Sequence, residues 1–197
     1  MPGILDLVQQ SLGGDAVQAL SQQLGADPQQ TQSAIATALP TLLAGLAHHT
    51  AQGDNATGLA GALQSHDGSI LNDVAGFVQA GGAQDAGAGL LGHFLGQHLD
   101  NAANAIAGAS GLDAGQATQL LQSLAPLVMG AVGQTSQQQG GLNPAGLLSM
   151  LQGEHQNVAQ GQPDLLGIAT SLFGQAQGGG GLLGSLEKGL GGLLGGR

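Results

Sequence analysis

The stretch ATALPTLLAGL, residues 36–46, sets Pro40 in the middle of what otherwise reads as one amphipathic helix. A proline in a helix interior removes an amide donor, crowds the preceding turn and costs about 3 kcal/mol. Such a residue serves either architecture or a hinge. Its recurrence favours architecture. Moving 86 residues along the chain brings Pro40 onto Pro126, in LQSLAPLVMGAV (121–132). The same shift matches Leu20 to Ile106, Gly25 to Gly111, Asp27 to Asp113 and Gln30 to Gln116. Ile35, Leu39, Leu42, Leu43 and Leu46 fall on Leu121, Ala125, Val128, Met129 and Val132. Both sets are spaced along one helical face.

Further along, GLAGALQ (58–64) pairs with GLLSMLQ (146–152), and ILNDVAGF (70–77) resembles LGIATSLF (166–173). The chain therefore reads as a tandem duplication of roughly 90-residue units, identified by spacing more than by identity. The boundaries expected are residues 1–88 for unit one, 89–179 for unit two and 180–197 for a Gly/Leu-rich tail, the two units packed as one globule. Each long helix begins at an acidic cap. Asp27 precedes Pro28 at the first helical position, where its missing amide costs nothing, and Asp113 repeats the cap. Asn143 and Asp164 read as further helix caps. With glycine-rich separators and no sustained period-two alternation, the fold class is all-α and multihelical. Pro40 and Pro126 are expected to free the carbonyls of Ala36 and Gln122 and bend the long helices. Thr37 and Ser123, three residues earlier, are placed to help satisfy the disturbed turn.

The stretches LGGDAVQALSQQLGADPQQTQSAIATALPTLLAGLA, LAGALQSHDGSILND and ASGLDAGQATQLLQSLAPLVMGAVG resemble the bacterial domain-of-unknown-function family 937, related to YidB-like proteins. The likeness runs over roughly residues 1–155, and the Gly/Leu-rich ending is also similar. It implies a bacterial multihelical protein, without an assigned activity or catalytic residues.

Composition excludes several functions. Charged residues make up 7% of the chain, against roughly 25% in ordinary globular proteins. Lys188 and Arg197 are the only basic side chains, so residues 1–187 hold all twelve acids and no base. Nucleic-acid binding needs cations for phosphates and usually aromatics for bases. The only aromatics here are Phe77, Phe94 and Phe173, and no nucleic-acid partner is expected. Phosphorylated ligands held by a Lys or Arg clamp are disfavoured for the same reason, and no glycine run ends in GK[ST]. The absence of cysteine excludes disulfides and thiol chemistry and leaves the redox compartment open. The longest apolar stretches, Ala34–Ala47 and Leu124–Val132, are shorter than the roughly 20 residues of a membrane span. MPGILDLVQQ lacks a basic n-region and a long apolar core, so the expectation is a cytoplasmic protein, with export by another route left open.

Candidate sites are few. In SHDGSILND (65–73), an EF-hand register with Asp67 at position five sets Leu63 and Val74 at the two anchor positions, so calcium is rejected. A turn at Asp67-Gly68 with Ser69 capping the next helix is expected instead. The histidines are His48, His49, His66, His93, His98 and His155. None forms the i,i+4 pair of a helical zinc site, and His48 and His49 suit a helix C-terminus. There is no G-x-S-x-G elbow, and the acids fall mostly at caps and turns. No catalytic, cofactor-binding or metal residues are assigned, no cofactor is expected, and the chain is read as a non-enzyme.

Two functional readings remain. One is a self-associating structural protein, its partner itself, assembling head to tail into homo-oligomers or filaments. The other is a monomeric adaptor or peripheral envelope-associated module. The tail GGLLGSLEKGLGGLLGG (180–196) resembles AGLLGHFLGQHL (88–99), which under the repeat shift overlies the opening ILDLVQQSL (4–12). The chain then reads as two units plus the opening helix of a third. Leu182, Leu183, Leu186, Leu190, Leu193 and Leu194 line one face of that helix, with Lys188 beside them, as the candidate self-association surface. Its glycines cost about 1 kcal/mol each relative to alanine, so the helix needs an apolar groove to order it. The groove belongs to its own unit two, to the next copy, or is replaced by a membrane surface.

Overall fold

The computed structural model describes residues 3–51, 55–63 and 68–138, together with Gly146, Ser149 and Gly153. Among the described residues eight α-helices run in the order α1 (Ile4–Ser11), α2 (Gly14–Leu24), α3 (Pro28–Thr50), α4 (Asn55–Leu63), α5 (Val74–Gln79), α6 (Gly82–Phe94), α7 (Leu99–Ser110) and α8 (Ala114–Gln138). Short 3-10 turns at Ser69–Asn72 and Gly96–His98 precede α5 and α7. Among the described residues there is no strand, and the fold is all-α. α6 runs through residues 88 and 89, so the unit join expected there falls inside a helix.

Local chemistry sets the start and end of the long helices. Gly25 ends α2 in the left-handed region (φ 64°), with the Ala26 amide donating to the Ser21 carbonyl at 3.0 Å and the Gly25 amide to Gln22 at 3.3 Å. That pair of bonds is a Schellman stop. Asp27 then caps α3: its carboxylate accepts from the Gln29 amide at 2.8 Å, and its own amide donates to Gln30 Oε1 at 3.4 Å. Gly111 (φ 79°) ends α7, its amide donating to Ala107. Asp113 caps α8 by accepting from the Gln116 amide at 2.8 Å and donating to Gln116 Oε1 at 3.0 Å. Both are reciprocal capping boxes with glutamine at the third helical position.

α8 is the central element, with α1, α2, α3, α4, α6, α7 and the Ser69–Asn72 turn all packed against it. The apolar face predicted for α3 is buried, but so are the residues between its members: Thr37 through Leu46 form an unbroken buried run. In α8 the run extends from Ser123 through Gly133. A helix covered on every side is a core helix rather than an amphipathic surface one. The hydroxyls of Thr41, Thr50 and Ser123 donate within their own helices. Thr41 donates to the Thr37 carbonyl at 2.8 Å, Thr50 to Leu46 at 2.6 Å and Ser123 to Gln119 at 3.0 Å. A hydroxyl bonded to its own preceding turn enters an apolar interior at little cost. Pro40 and Pro126 lie inside continuous helix, both buried.

Two helical hairpins, α2–α3 and α7–α8, meet at their turns. Gln30 Nε2 donates to the Gly111 carbonyl at 3.3 Å, and Gln116 Nε2 donates to the Leu24 carbonyl at 2.9 Å. Each glutamine therefore closes its own helix's capping box with its oxygen. With its nitrogen it takes up a C-terminal carbonyl of the other hairpin, a group a helix end leaves without an intrahelical donor.

Candidate functional site

Two features of the surface carry recognisable chemistry, and the first is built on the prolines. Pro126 has no amide, so the Gln122 carbonyl lacks the partner it would have one turn on. α6 crosses α8 at that carbonyl. Gly87 is the crossing point: a Cβ there would overlap the carbonyl carbon and oxygen of Gln122 and lie 2.8 Å from its Cα. Only a residue without a side chain lets the backbones approach this closely, and glycine Cα–H groups are weak donors to such an oxygen. One turn further along α6, Leu91 is fully buried.

Pro40 deprives Ala36 in the same way, but the surroundings differ. Ala36 is exposed and lines a groove of about 360 Å³ with Gln9, Leu12, Val17, Gln32 and Ile35, between the end of α1, the start of α2 and the middle of α3. Leu12 and Ile35 form its floor, being 8% and 6% exposed. Asp6 and Asp15, both exposed, stand on the two helices that form its other wall.

The second feature gathers histidines from three elements. His48 and His49 occupy the last turn of α3, as expected for helix-terminal histidines, while His93 ends α6 and His98 lies in the following 3-10 turn. The His48 and His98 rings stand edge to face at 6.3 Å, and His49 meets Phe94 at 6.0 Å. A cleft of about 350 Å³ runs from this cluster toward α4, lined by His49, Leu59, Ala62, Leu90, His93 and Phe94 among others. Burial holds the His49 pKa below the ordinary 6.5, and the neighbouring His93 and His48 lower it further. His49 therefore favours neutral imidazole at neutral pH. Among the described residues no group of three or more histidine or carboxylate side chains is arranged to hold a metal ion. Neutral imidazole at the rim of an apolar cleft can donate or accept one hydrogen bond per ring while the walls cover an apolar group. Spacing along single helices does not reveal this cluster, because its members are brought together only by the packing of α3 against α6.

The remaining predicted positions fall as follows. Asp27 and Asp113 cap α3 and α8. The cap before α5 is Asp73, whose carboxylate accepts from the Gly76 amide at 2.9 Å, and not Ser69, which opens a 3-10 turn behind Gly68. Gly68 has φ 85° and packs on Gly130 of α8, so this loop acts as a spacer that lets the turn approach the central helix. The hydroxyls of Thr37 and Ser123 donate to Ser33 and Gln119, one turn before the carbonyls that the prolines disturb, so they do not compensate for those losses. A hydroxyl four residues past a carbonyl reaches it more easily than one lying in the following turn. His66, Asp67, Asn143, His155, Asp164 and the tail positions Leu182, Leu183, Leu186, Lys188, Leu190, Leu193 and Leu194 lie outside the described residues.

No curated protein and no solved structure matches the chain. A family model does match, over residues 6–137, and covers α1 to α8 but for the last residue of α8 and the first two of α1. The chain belongs to that family, described as bacterial protein of unknown function (DUF937).

Proposed function

We propose that this chain is a non-enzymatic, self-associating structural module, built as a tandem duplication with a proline-bent long helix in each half and joined head to tail into homo-oligomers or filaments. The observation that carries this reading is the reciprocal contact of the two hairpin turns, Gln30 on Gly111 and Gln116 on Leu24. Like surfaces already bind one another inside a single chain. α3 begins at residue 28 and α8 at residue 114, the same 86 positions apart as the two prolines. A chain of such units that carries a further segment similar to the opening of a unit can offer that segment to a different surface of another copy. That is the arrangement of a heterologous interface, which generates rings or open filaments. The sparse charge adds little repulsion between neighbouring copies.

Light scattering over a concentration series, with electron microscopy of the most concentrated sample, tests this directly. Mass rising with concentration and ordered chains of particles are expected. A monomer at every concentration would overturn the reading.

The alternative is a monomeric adaptor or envelope-associated binding module, favoured by the cleft between His49, Leu59 and Phe94. A monomeric protein whose His49 and Phe94 resonances shift on addition of a partner would establish that role instead.

A further inference from the structure

The α6 helix meets α8 through a short pattern that the chain contains a second time. GAGLLGHF (87–94) in α6 and GGGLLGSL (179–186) near the C-terminus share the form G-x-G-L-L-G-x followed by a large apolar residue. In the first, Gly87 lies on the Gln122 carbonyl that Pro126 has deprived of its donor, and Leu91 is sunk into the core. Under the 86-residue shift the counterpart of Gln122 is Ala36, which Pro40 deprives in the same way and which lies exposed in the groove between Leu12, Val17 and Ile35. There is thus one seat taken by the first copy of the pattern, and one, beside Ala36, walled among the described residues by the end of α1 and the start of α2.

We infer that the segment 179–186 of one copy occupies the Pro40 groove of the next, with Gly179 against the Ala36 carbonyl and Leu183 in the place that Leu91 fills in α6. This deepens the self-association reading and rests on it. Three observations select this occupant. The pattern is matched position for position at its five fixed residues, which an unrelated apolar helix would not do. Gly179 stands where Gly87 stands in the first copy, the position whose Cβ has no room against Gln122. Charge agrees as well: Lys188 and Arg197, the only basic side chains of the sequence, follow the segment, while Asp6 and Asp15 lie on α1 and α2, the helices that contribute to the groove. Opposite charges at a rim steer encounter and fix register more than they add affinity. Because seat and segment are different surfaces, each copy offers one of each and the contact does not close on itself.

The full-length chain carries the test through two variants. Ala36→Trp blocks the groove at an exposed position and leaves the segment intact. Gly179→Leu spoils the segment and leaves the groove intact. Each alone is expected to stay monomeric by light scattering where the unmodified chain associates. An equimolar mixture regains one good interface per pair and should double in mass without growing further. Should Ala36→Trp perturb folding by circular dichroism, Gln32→Trp on the same rim replaces it. If both variants still associate like the unmodified chain, the segment and groove are not the interface, although self-association itself stands. If the unmodified chain associates, each variant is monomeric and the mixture stays monomeric, the groove is not completed by a second copy's segment. If the unmodified chain is monomeric throughout, both the inference and the reading beneath it fall.

Discussion

Gly87 of α6 lies against the backbone carbonyl of Gln122 in α8, with no space between them for a Cβ. Two glycines on the same helix, two residues apart, therefore have opposite standing. Gly87 is buried at a backbone crossing, while a Cβ on Gly89 would meet nothing within 4 Å.

Substituting each with alanine should separate these roles. Gly87→Ala gains helix propensity of about 1 kcal/mol but must push two backbones apart, and overpacking of this kind costs about 1–3 kcal/mol or more. Net destabilisation is expected in urea unfolding. Gly89→Ala has only the propensity gain and should raise stability by up to about 1 kcal/mol. Equal effects at the two positions would contradict the close crossing.

The glutamines joining the hairpins should rank by geometry. Gln116→Ala loses the 2.9 Å bond to the Leu24 carbonyl and the capping oxygen for Asp113. A loss of about 1–2 kcal/mol is expected. Gln30→Ala, whose two bonds are 3.3 and 3.4 Å long and exposed, should cost less. Thermal unfolding of the two variants side by side checks the order.

Acid should weaken the histidine end. His49 in the unfolded chain takes up its proton near 6.5, while in the folded protein it does so only at lower pH, through burial first and then His93 and His48. Between those values the unfolded state binds more protons, so stability rises with pH there. The contribution is complete above about 6.5 and is lost as pH falls through the lowered folded value. Nuclear magnetic resonance titration of His49 should give a midpoint below 6.5. His93→Gln should move that midpoint up without restoring it fully, because burial remains. A midpoint at or above 6.5 would contradict the environment described.

The proposed bends are tested by removing the prolines. Pro40→Ala and Pro126→Ala each restore an amide donor to the carbonyl four residues back, and each should leave a folded chain with a straighter long helix. Straightening α8 also draws the Gln122 carbonyl away from Gly87, so Pro126→Ala should unfold at the lower temperature of the two. Unchanged helix axes in crystal structures of both variants would remove the bends from the account.

The sequence alone determined the helical class, the caps at Asp27 and Asp113, the equivalence of Gly25 and Gly111 and the course of helix through both prolines. These are local matters: a capping carboxylate, a left-handed glycine and an apolar period act within a few residues, and the chain displays them in order. Packing decided the rest. Ser69 and Asp73 are both capable caps by type, and which one serves depends on where Gly68 lets the turn settle on Gly130. His48, His49, His93 and His98 form one cluster only because α3 and α6 end side by side. The two prolines read alike in sequence, yet one carbonyl is covered by Gly87 and the other belongs to Ala36, an exposed residue lining a groove. That difference depends on which helix crosses which, a relation between residues far apart in the chain that no local pattern encodes.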